Sequence, residues 1–312
     1  PSIEELDAKV TFSNDYLKIV GNKASIDGID LSYLSITTRD FNKPNSVLSI
    51  NGRFSSQSKK ISKFIMQSSV PLKIKRYFDE FELDGKLWGN VNLVVPLQIS
   101  SDQKTKITFD MFASENSLTL LSGKLKVDEF SSQFTFSDGL IRTKGKGLIG
   151  GELFQISLNP KEWIDEQQNN FRVKLSHLAS VTDVYVIKNL ANQWLSIIES
   201  DNLQANLIIT VNDNGNYSVK FKDLNVNNFE KLDAWKLTPS MFPSFNLSSK
   251  NAKFNGKTIP NLEAELVNNE NVMEIKNLIF ENIGLSNEDL IFNGNWLNGK
   301  TLLRAKASND NL

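Results

Sequence analysis

Along most of this chain apolar and polar residues take turns. Val91, Leu93, Val95 and Leu97 alternate with Asn92, Val94, Pro96 and Gln98, and Ile107, Phe109 and Met111 alternate with Thr108, Asp110 and Phe112. Leu118 and Leu120 flank Thr119 in the same way. Further on, Leu207, Ile209 and Val211 alternate with Asn206, Ile208 and Thr210, and Val219 and Phe221 with Lys220 and Lys222. Successive side chains of a strand point to opposite faces, so period two predicts strands with one apolar and one wet face. Repeated in many segments, it predicts a mainly β chain built on a long, twisted antiparallel sheet.

Turn chemistry punctuates the runs. Asp27-Gly28, Asn51-Gly52, Asp84-Gly85, Asp138-Gly139, Asn214-Gly215, Asn255-Gly256, Asn293-Gly294 and Asn298-Gly299 accept positive φ, as two-residue hairpin turns require. Pro96 has no N–H for a ladder, which predicts a bulge or an edge there. Two stretches carry helical spacing instead. Val184, Ile187, Leu190, Ala191, Trp194, Leu195 and Ile198 share one helical stripe, and Ser180 with Asp183 reads as a capping box, predicting a helix near 181–199. A shorter helix is expected from Lys59 to about Gln67, with Ile61, Phe64 and Ile65 on one side and Pro71 marking its end. A soft boundary divides the chain into a first part, Pro1 to Leu175, and a second, Ser176 to Leu312.

These elements pose a physical problem. Roughly fifteen strands present an apolar face, and one or two short helices are available to cover it. Left in water, a face of that size is costly. A second sheet, closure into a barrel, or an apolar ligand could cover it, and the pattern does not choose among the three.

Composition narrows the chemistry. The 312 residues contain no cysteine and one histidine, His177, which removes disulfides and thiolate metal sites and leaves only carboxylate-dominated metal sites. Lys and Arg number 35 against 36 Asp and Glu, so the basic excess of a nucleic-acid binder is missing. No run of about 18 apolar residues is present to span a bilayer as a helix. With Pro1 at its start, the chain reads as a piece of something longer, whose targeting or anchor segment lies elsewhere.

Individual motifs point away from catalysis. Gly145-Lys146-Gly147-Leu148-Ile149-Gly150 has the spacing of a dinucleotide fingerprint, but a strand-like run, Gly151 to Leu158, follows where a helix is required, so a glycine-rich bend is expected. Glu80, Glu82 and Asp84 read as a solvated strand face, because nothing nearby completes a calcium ligand set. His177 has no base–nucleophile spacing around it. Lys59, Lys60, Lys63, Lys73, Lys75 and Arg76 are read as a solubilising surface, with contact to anionic head groups as the alternative. Trp88, Trp163, Trp194, Trp235 and Trp296 are scattered rather than paired as stacking platforms. No catalytic residues, metal or cofactor are assigned, and the chain is expected not to be an enzyme.

The run Phe81 to Leu97, Phe-Glu-Leu-Asp-Gly-Lys-Leu-Trp-Gly-Asn-Val-Asn-Leu-Val-Val-Pro-Leu, resembles the "G, alternating apolar, Pro-Leu" strand of YhdP-type members of the AsmA-like family. Phe134 to Leu158 resembles the next block, in which an "F-x-D-x-G-L" strand leads to a Gly-rich turn and another strand. Phe245 to Leu266 has the family's apolar, Asn-Gly, apolar layout, and Leu290 to Thr301 resembles its recurring "G-x-W…T" hairpin. One departure is Phe242 before Pro243, where tryptophan is expected. The resemblance implies a periplasmic protein of diderm bacteria, anchored in the inner membrane outside this chain and crossing the periplasm as a long β-groove. It implies a role in moving phospholipid towards the outer membrane and in envelope integrity, with phospholipid or other acyl lipids as cargo, membranes at the two ends and no nucleic acid.

On that reading acyl chains close the apolar face. Each CH₂ entering water costs about 0.8 kcal/mol, so a sixteen-carbon chain faces roughly 12 kcal/mol without a groove. The expected lining is Val91, Leu93, Val95, Leu97, Ile107, Phe109, Met111, Leu118, Leu120, Leu207, Ile209, Val219 and Phe221, with the helix near Val184 to Ile198 capping part of the trough. The rival reading is a closed β-sandwich or solenoid serving as a structural or interaction module in the periplasm. An outer-membrane barrel is disfavoured by missing aromatic girdles and by strands interrupted with Asn and Lys. A carbohydrate-active enzyme on a β-helix comes last.

Overall fold

The computed structural model describes residues 3–39, 45–67, 81–97, 105–120, 125–137, 140–159, 172–188, 193–211, 217–227, 243–269, 272–281, 290–297 and 300–307, with Lys43, Lys75, Phe78 and Gly123 as single positions. Three expected turn pairs, Asp138-Gly139, Asn214-Gly215 and Asn298-Gly299, lie outside these residues, as do Pro71, Lys73, Arg76 and Phe242. The chain forms two compact units, one of residues 1–149 and 156–163, the other of 150–155 and 164–312. Leu175 and Ser176 lie side by side in one strand of the second unit.

The first unit is an open antiparallel sheet. Its strands are β1 (Ile3–Ser13), β2 (Tyr16–Ile26), β3 (Ile29–Arg39), β4 (Val47–Gln57), β5 (Phe81–Asp84), β6 (Lys86–Pro96), β7 (Lys106–Leu120), β8 (Leu125–Ser137) and β9 (Leu140–Ile149). β10 (Glu152–Leu158) is shared between the units. Neighbours in sequence pair, except that β4 meets β6 and the long β7 serves both β5 and β6. The registers place apolar residues in rows: Val10, Ile19, Ile36, Ile50, Leu93 and Ile107 face one another in turn across six strands. Cross-strand pairs of this kind are the unit of sheet stabilisation. The face runs on to the edge strand, where Val10 and Phe12 are 49% and 72% exposed.

Bulges keep the face apolar along strands too long to alternate without a break. Glu115 adopts φ 54° within β7 and Glu129 φ 53° within β8, and the register shifts at both. A bulged residue moves the following side chains to the other phase. Ile107, Phe109, Met111 and Ala113 occupy odd positions; beyond Glu115 the buried residues are Asn116, Leu118 and Leu120. β8 packs Phe130 and Phe134 into the fully buried part of this unit.

Glycine placement corrects part of the turn expectation. Asp27-Gly28 (φ 51° and 74°) and Asn255-Gly256 (φ 48° and 79°) are the two-residue turns that left-handed pairs favour. Asn51-Gly52 and Asn293-Gly294 instead sit inside strands, Asn51 and Gly52 paired with Asn92 and Val91, and Asn293 and Gly294 with Arg304 and Leu303. A Cβ on Gly52 would lie 3.4 Å from Leu34 Cδ1. The fingerprint-like glycines behave likewise: Gly145 and Gly147 are strand residues of β9, where a Cβ would come within 2.9 Å of the Phe130 ring and 2.4 Å of Val127. The bend falls three positions past Gly147, at Gly150-Gly151, both with positive φ.

The first expected helix forms. α1 (Ser58–Gln67) follows β4 directly, with Ile61, Phe64 and Ile65 on one side. The second expectation is overturned. Within 181–199, Thr182–Lys188 is strand β12 and Trp194–Glu199 is strand β13, paired through Val184 with Ile198 and Val186 with Ser196. The run is apolar in both phases, so it matches a helical stripe by accident, and its Val, Ile, Thr and Tyr residues favour the strand.

The second unit continues with β11 (Arg172–His177), β14 (Leu203–Val211), β15 (Tyr217–Val226), β16 (Phe245–Phe254), β17 (Lys257–Asn269), β18 (Val272–Glu281), β19 (Leu290–Leu297) and β20 (Lys300–Ala307). The pairings are antiparallel except β15 with β16, which run parallel. Its core gathers Ala205, Leu207, Leu224, Val226, Ala252, Ile259 and Leu262.

Candidate functional site

The face of the first unit carries a cavity. α1 lies over it, held at its start by Ser58, whose N–H donates to the Gly85 carbonyl (2.8 Å) and whose hydroxyl donates to that of Leu83 (2.6 Å). Gly85, at φ 141°, is the break between β5 and β6, a conformation that side chains avoid. Outside, Lys59 bonds Asp84 at 2.9 Å and Lys60 donates to the Gly28 carbonyl at 3.4 Å. The hydrogen bond to Asp84, and then its charge, raise the Lys59 ammonium above its ordinary pKa. Far along the helix, Lys75 donates to the Met66 carbonyl at 2.7 Å. These contacts turn Ile61, Phe64 and Ile65 inwards.

Beneath them lies about 240 Å³ of space. Its walls are Ile29 and Leu31 of β3, Phe54 of β4, Val91 and Leu93 of β6, Ile107, Phe109 and Met111 of β7, Phe136 of β8 and the three helix residues. Every one of the twelve is apolar. Phe109 stacks on Phe136 with centroids 4.9 Å apart, forming a flat wall. The space exceeds the roughly 150 Å³ of an apolar cavity that stays dry and takes up benzene. With no donor or acceptor in the wall, it offers hydrocarbon nothing but contact, and a polar group brought inside would go unsatisfied.

Of the residues expected to line a groove, Val91, Leu93, Ile107, Phe109 and Met111 meet in this cavity. Val95 stays on the same face, half-buried opposite Leu48, and Leu97 is 40% exposed just past β6. Pro96 is the last residue of β6, where the missing N–H costs no interior ladder bond. Leu118 and Leu120 are on the bulge-corrected face but wholly buried, against Leu83 and Phe81. Leu207, Ile209, Val219 and Phe221 come together in the second unit through the pairs Leu207–Phe221 and Ile209–Val219, packed on its core. Sequence reasoning missed Ile29, Leu31 and Phe54, whose own alternation (Ile29, Leu31; Ile50, Gly52, Phe54) was a usable signal.

The other candidates resolve without chemistry. Among the described residues no group of three or more metal-ligating side chains exists. Glu82 and Asp84 lie on the exposed side of β5. His177 is buried against Phe154 at the turn between β11 and β12, its Nδ1 2.6 Å from the Ser180 hydroxyl and its Nε2 3.8 Å from the Glu152 carboxylate. Ser180 thus serves this turn rather than a helix cap.

A family model described as YhdP protein matches residues 1–160. The chain belongs to the YhdP family. The match covers the strands of the first unit, the helix and the apolar cavity, and an open β-sheet is the architecture its AsmA-like membership implies. No curated protein and no solved structure matches the chain.

Proposed function

We propose that this YhdP-family chain is a segment of a lipid-transfer protein of the cell envelope, whose apolar sheet face conducts phospholipid acyl chains between the inner and outer membranes. The observation that carries the reading is the cavity between α1 and the first unit's sheet, walled by twelve apolar residues and no polar one. Burial of hydrocarbon at about 25 cal/mol per Å² supplies the affinity, and no catalytic group is needed. The periplasm, in a protein anchored at the inner membrane, is the setting this reading requires. The rival, a sealed sandwich, would bury Val10 and Phe12 on the same face, and both are exposed.

Native mass spectrometry of the purified chain, and uptake of a fluorescent acyl lipid, test the proposal. The wild-type chain is expected to hold lipid, and the double substitution Leu93→Asp, Phe109→Asp to lose it while circular dichroism still reports a sheet. Undiminished uptake by the double variant would refute the lining.

A further inference from the structure

The wet face of the first unit's sheet carries a shallow depression of about 260 Å³, on the other side from the apolar cavity. Phe54, Val91, Leu93, Ile107 and Phe109 turn their side chains into that cavity, so the residues alternating with them point away from it. The registers set those residues in two rows across β4, β6 and β7. Asn51 faces Asn92, which faces Thr108; Arg53 faces Asn90, which faces Asp110. All six are exposed and line the depression. Neighbouring strands lie about 4.8 Å apart, so the rows make a regular grid of donors and acceptors. Its one cation is balanced by one anion.

Exposed aromatic rings flank the grid on two sides. Tyr33 is 71% exposed, with its ring centroid 4.8 Å from the Arg53 guanidinium. A bulge brings it to this face: the β3–β4 register shifts between Ser32 and Ser35, and Tyr33 holds a left-handed φ of 51°. A bulky residue rarely takes that conformation, which is unfavourable and marks positions put to use. Across the grid, Trp88 and Phe112 face each other in the next row, their rings stacked with centroids 6.2 Å apart. Trp88 is 41% exposed. Isolated from the other tryptophans along the chain, it gains an aromatic partner in space. Open aromatic surface beside a field of amides suits a ligand that is apolar on its flat side and hydroxylated around its edge.

We propose that this face binds a neutral oligosaccharide chain, with the rings of Tyr33 and Trp88 under its sugars and the Asn grid along its hydroxyls. A sugar ring has C–H faces that stack on an aromatic and a rim of hydroxyls that both donate and accept. Each side-chain amide of Asn51, Asn90 and Asn92 offers an acceptor oxygen beside an NH₂ donor, the complement of two adjacent hydroxyls. Arg53 donates to a further hydroxyl and Asp110 accepts from one. The balanced charge favours an uncharged ligand over an ionic one, and the separation of the two aromatic groups across several strands favours an oligomer over a single sugar. The sheet itself lies between the depression and the apolar cavity, so the sugar belongs to a separate glycan and not to the head group of a lipid lying under α1. This face owes nothing to whether the opposite one carries acyl chains.

The test is titration calorimetry, with tryptophan fluorescence alongside, on the intact 312-residue chain, using cellotetraose, tetra-N-acetylchitotetraose and glucose as probes. At least one tetrasaccharide is expected to bind roughly tenfold or more tightly than glucose, because only a chain reaches both aromatic groups. Trp88→Ala should weaken that binding by roughly five- to tenfold, the worth of one stacked ring. Tyr33→Gly should weaken it similarly while leaving the melting temperature in place, since glycine accepts the left-handed backbone freely, and this separates lost binding from lost folding. Asn90→Ala should cost about fivefold, one hydrogen-bonded contact. Binding of neither tetrasaccharide overturns the proposal, and so does binding that survives both Trp88→Ala and Tyr33→Gly. Self-association of the chain that Tyr33→Gly abolishes, with no saccharide bound, would make the patch a contact between copies and would overturn it too.

Discussion

The two units are written in the same alternating pattern, yet their apolar faces are finished differently. In the first, α1 spans part of the face at a stand-off, leaving room beneath Ile61, Phe64 and Ile65. In the second, no helix is found among the described residues, and Leu207, Ile209, Val219 and Phe221 pack directly onto Ala205, Leu224 and Ala252. A period-two pattern therefore specifies that a face is apolar, whereas the element laid across it decides whether that face is a core or a container.

The contrast is sharpest inside the first unit itself. Phe130 is fully buried over Gly145 and Gly147, while Phe109 walls the open space. Phe130→Ala should destabilise the chain by about 3–5 kcal/mol in urea unfolding, the cost of a large cavity in a filled core. A value below about 1 kcal/mol would mean that the packed half is as loose as the walled space and would erase the distinction.

A smaller effect of opposite sign is expected in the second unit. Ser249 is 2% exposed on β16, opposite Leu262, and its hydroxyl lacks a partner among the described residues. Ser249→Ala should raise stability by about 1 kcal/mol, since it removes an unpaired polar group from a filled core. A loss of stability would show that the hydroxyl is satisfied and that the two units differ less than their packing indicates.

The smallest effect concerns the second unit's polar side. Burial pushes the Asp183 carboxyl up, but hydrogen bonds from Lys174 and Ser176, with the Lys174 charge, outweigh it and hold the group below its usual range. A depressed carboxyl stabilises the fold above its unfolded pKa, and the contribution fades as pH falls through the folded value. The Lys174–Asp183 contact is 2.8 Å long but partly exposed, so Asp183→Asn should cost less than about 1 kcal/mol at pH 7. Thermal melts should show that difference shrink as the pH falls below the ordinary aspartate range. A constant difference at all pH values would show that the ion pair is not its source.

Much of this was legible in the sequence. The alternation of Ile107, Phe109 and Met111 gave the strand and the face, and the spacing of Ile61, Phe64 and Ile65 gave the helix over them. What it concealed was context. Glu115 looks like any polar strand residue, yet its left-handed backbone is what brings Leu118 and Leu120 onto the face of Met111. Asn51-Gly52 has turn chemistry, but the ladder passes through it, pairing Asn51 with Asn92 and Gly52 with Val91. Val184 to Ile198 is apolar in both phases, and only strand pairing decides between helix and sheet there.

The uniform apolar wall of the cavity under α1 has a kinetic consequence for any hydrocarbon guest. A guest advancing by one carbon trades one methylene contact for another of the same kind, with no hydrogen bond to break on the way. The potential along such a path is nearly level, so position is weakly held even where the total hold is strong. Tenacious retention and easy creep, ordinarily opposed, are compatible on a surface that offers only dispersion.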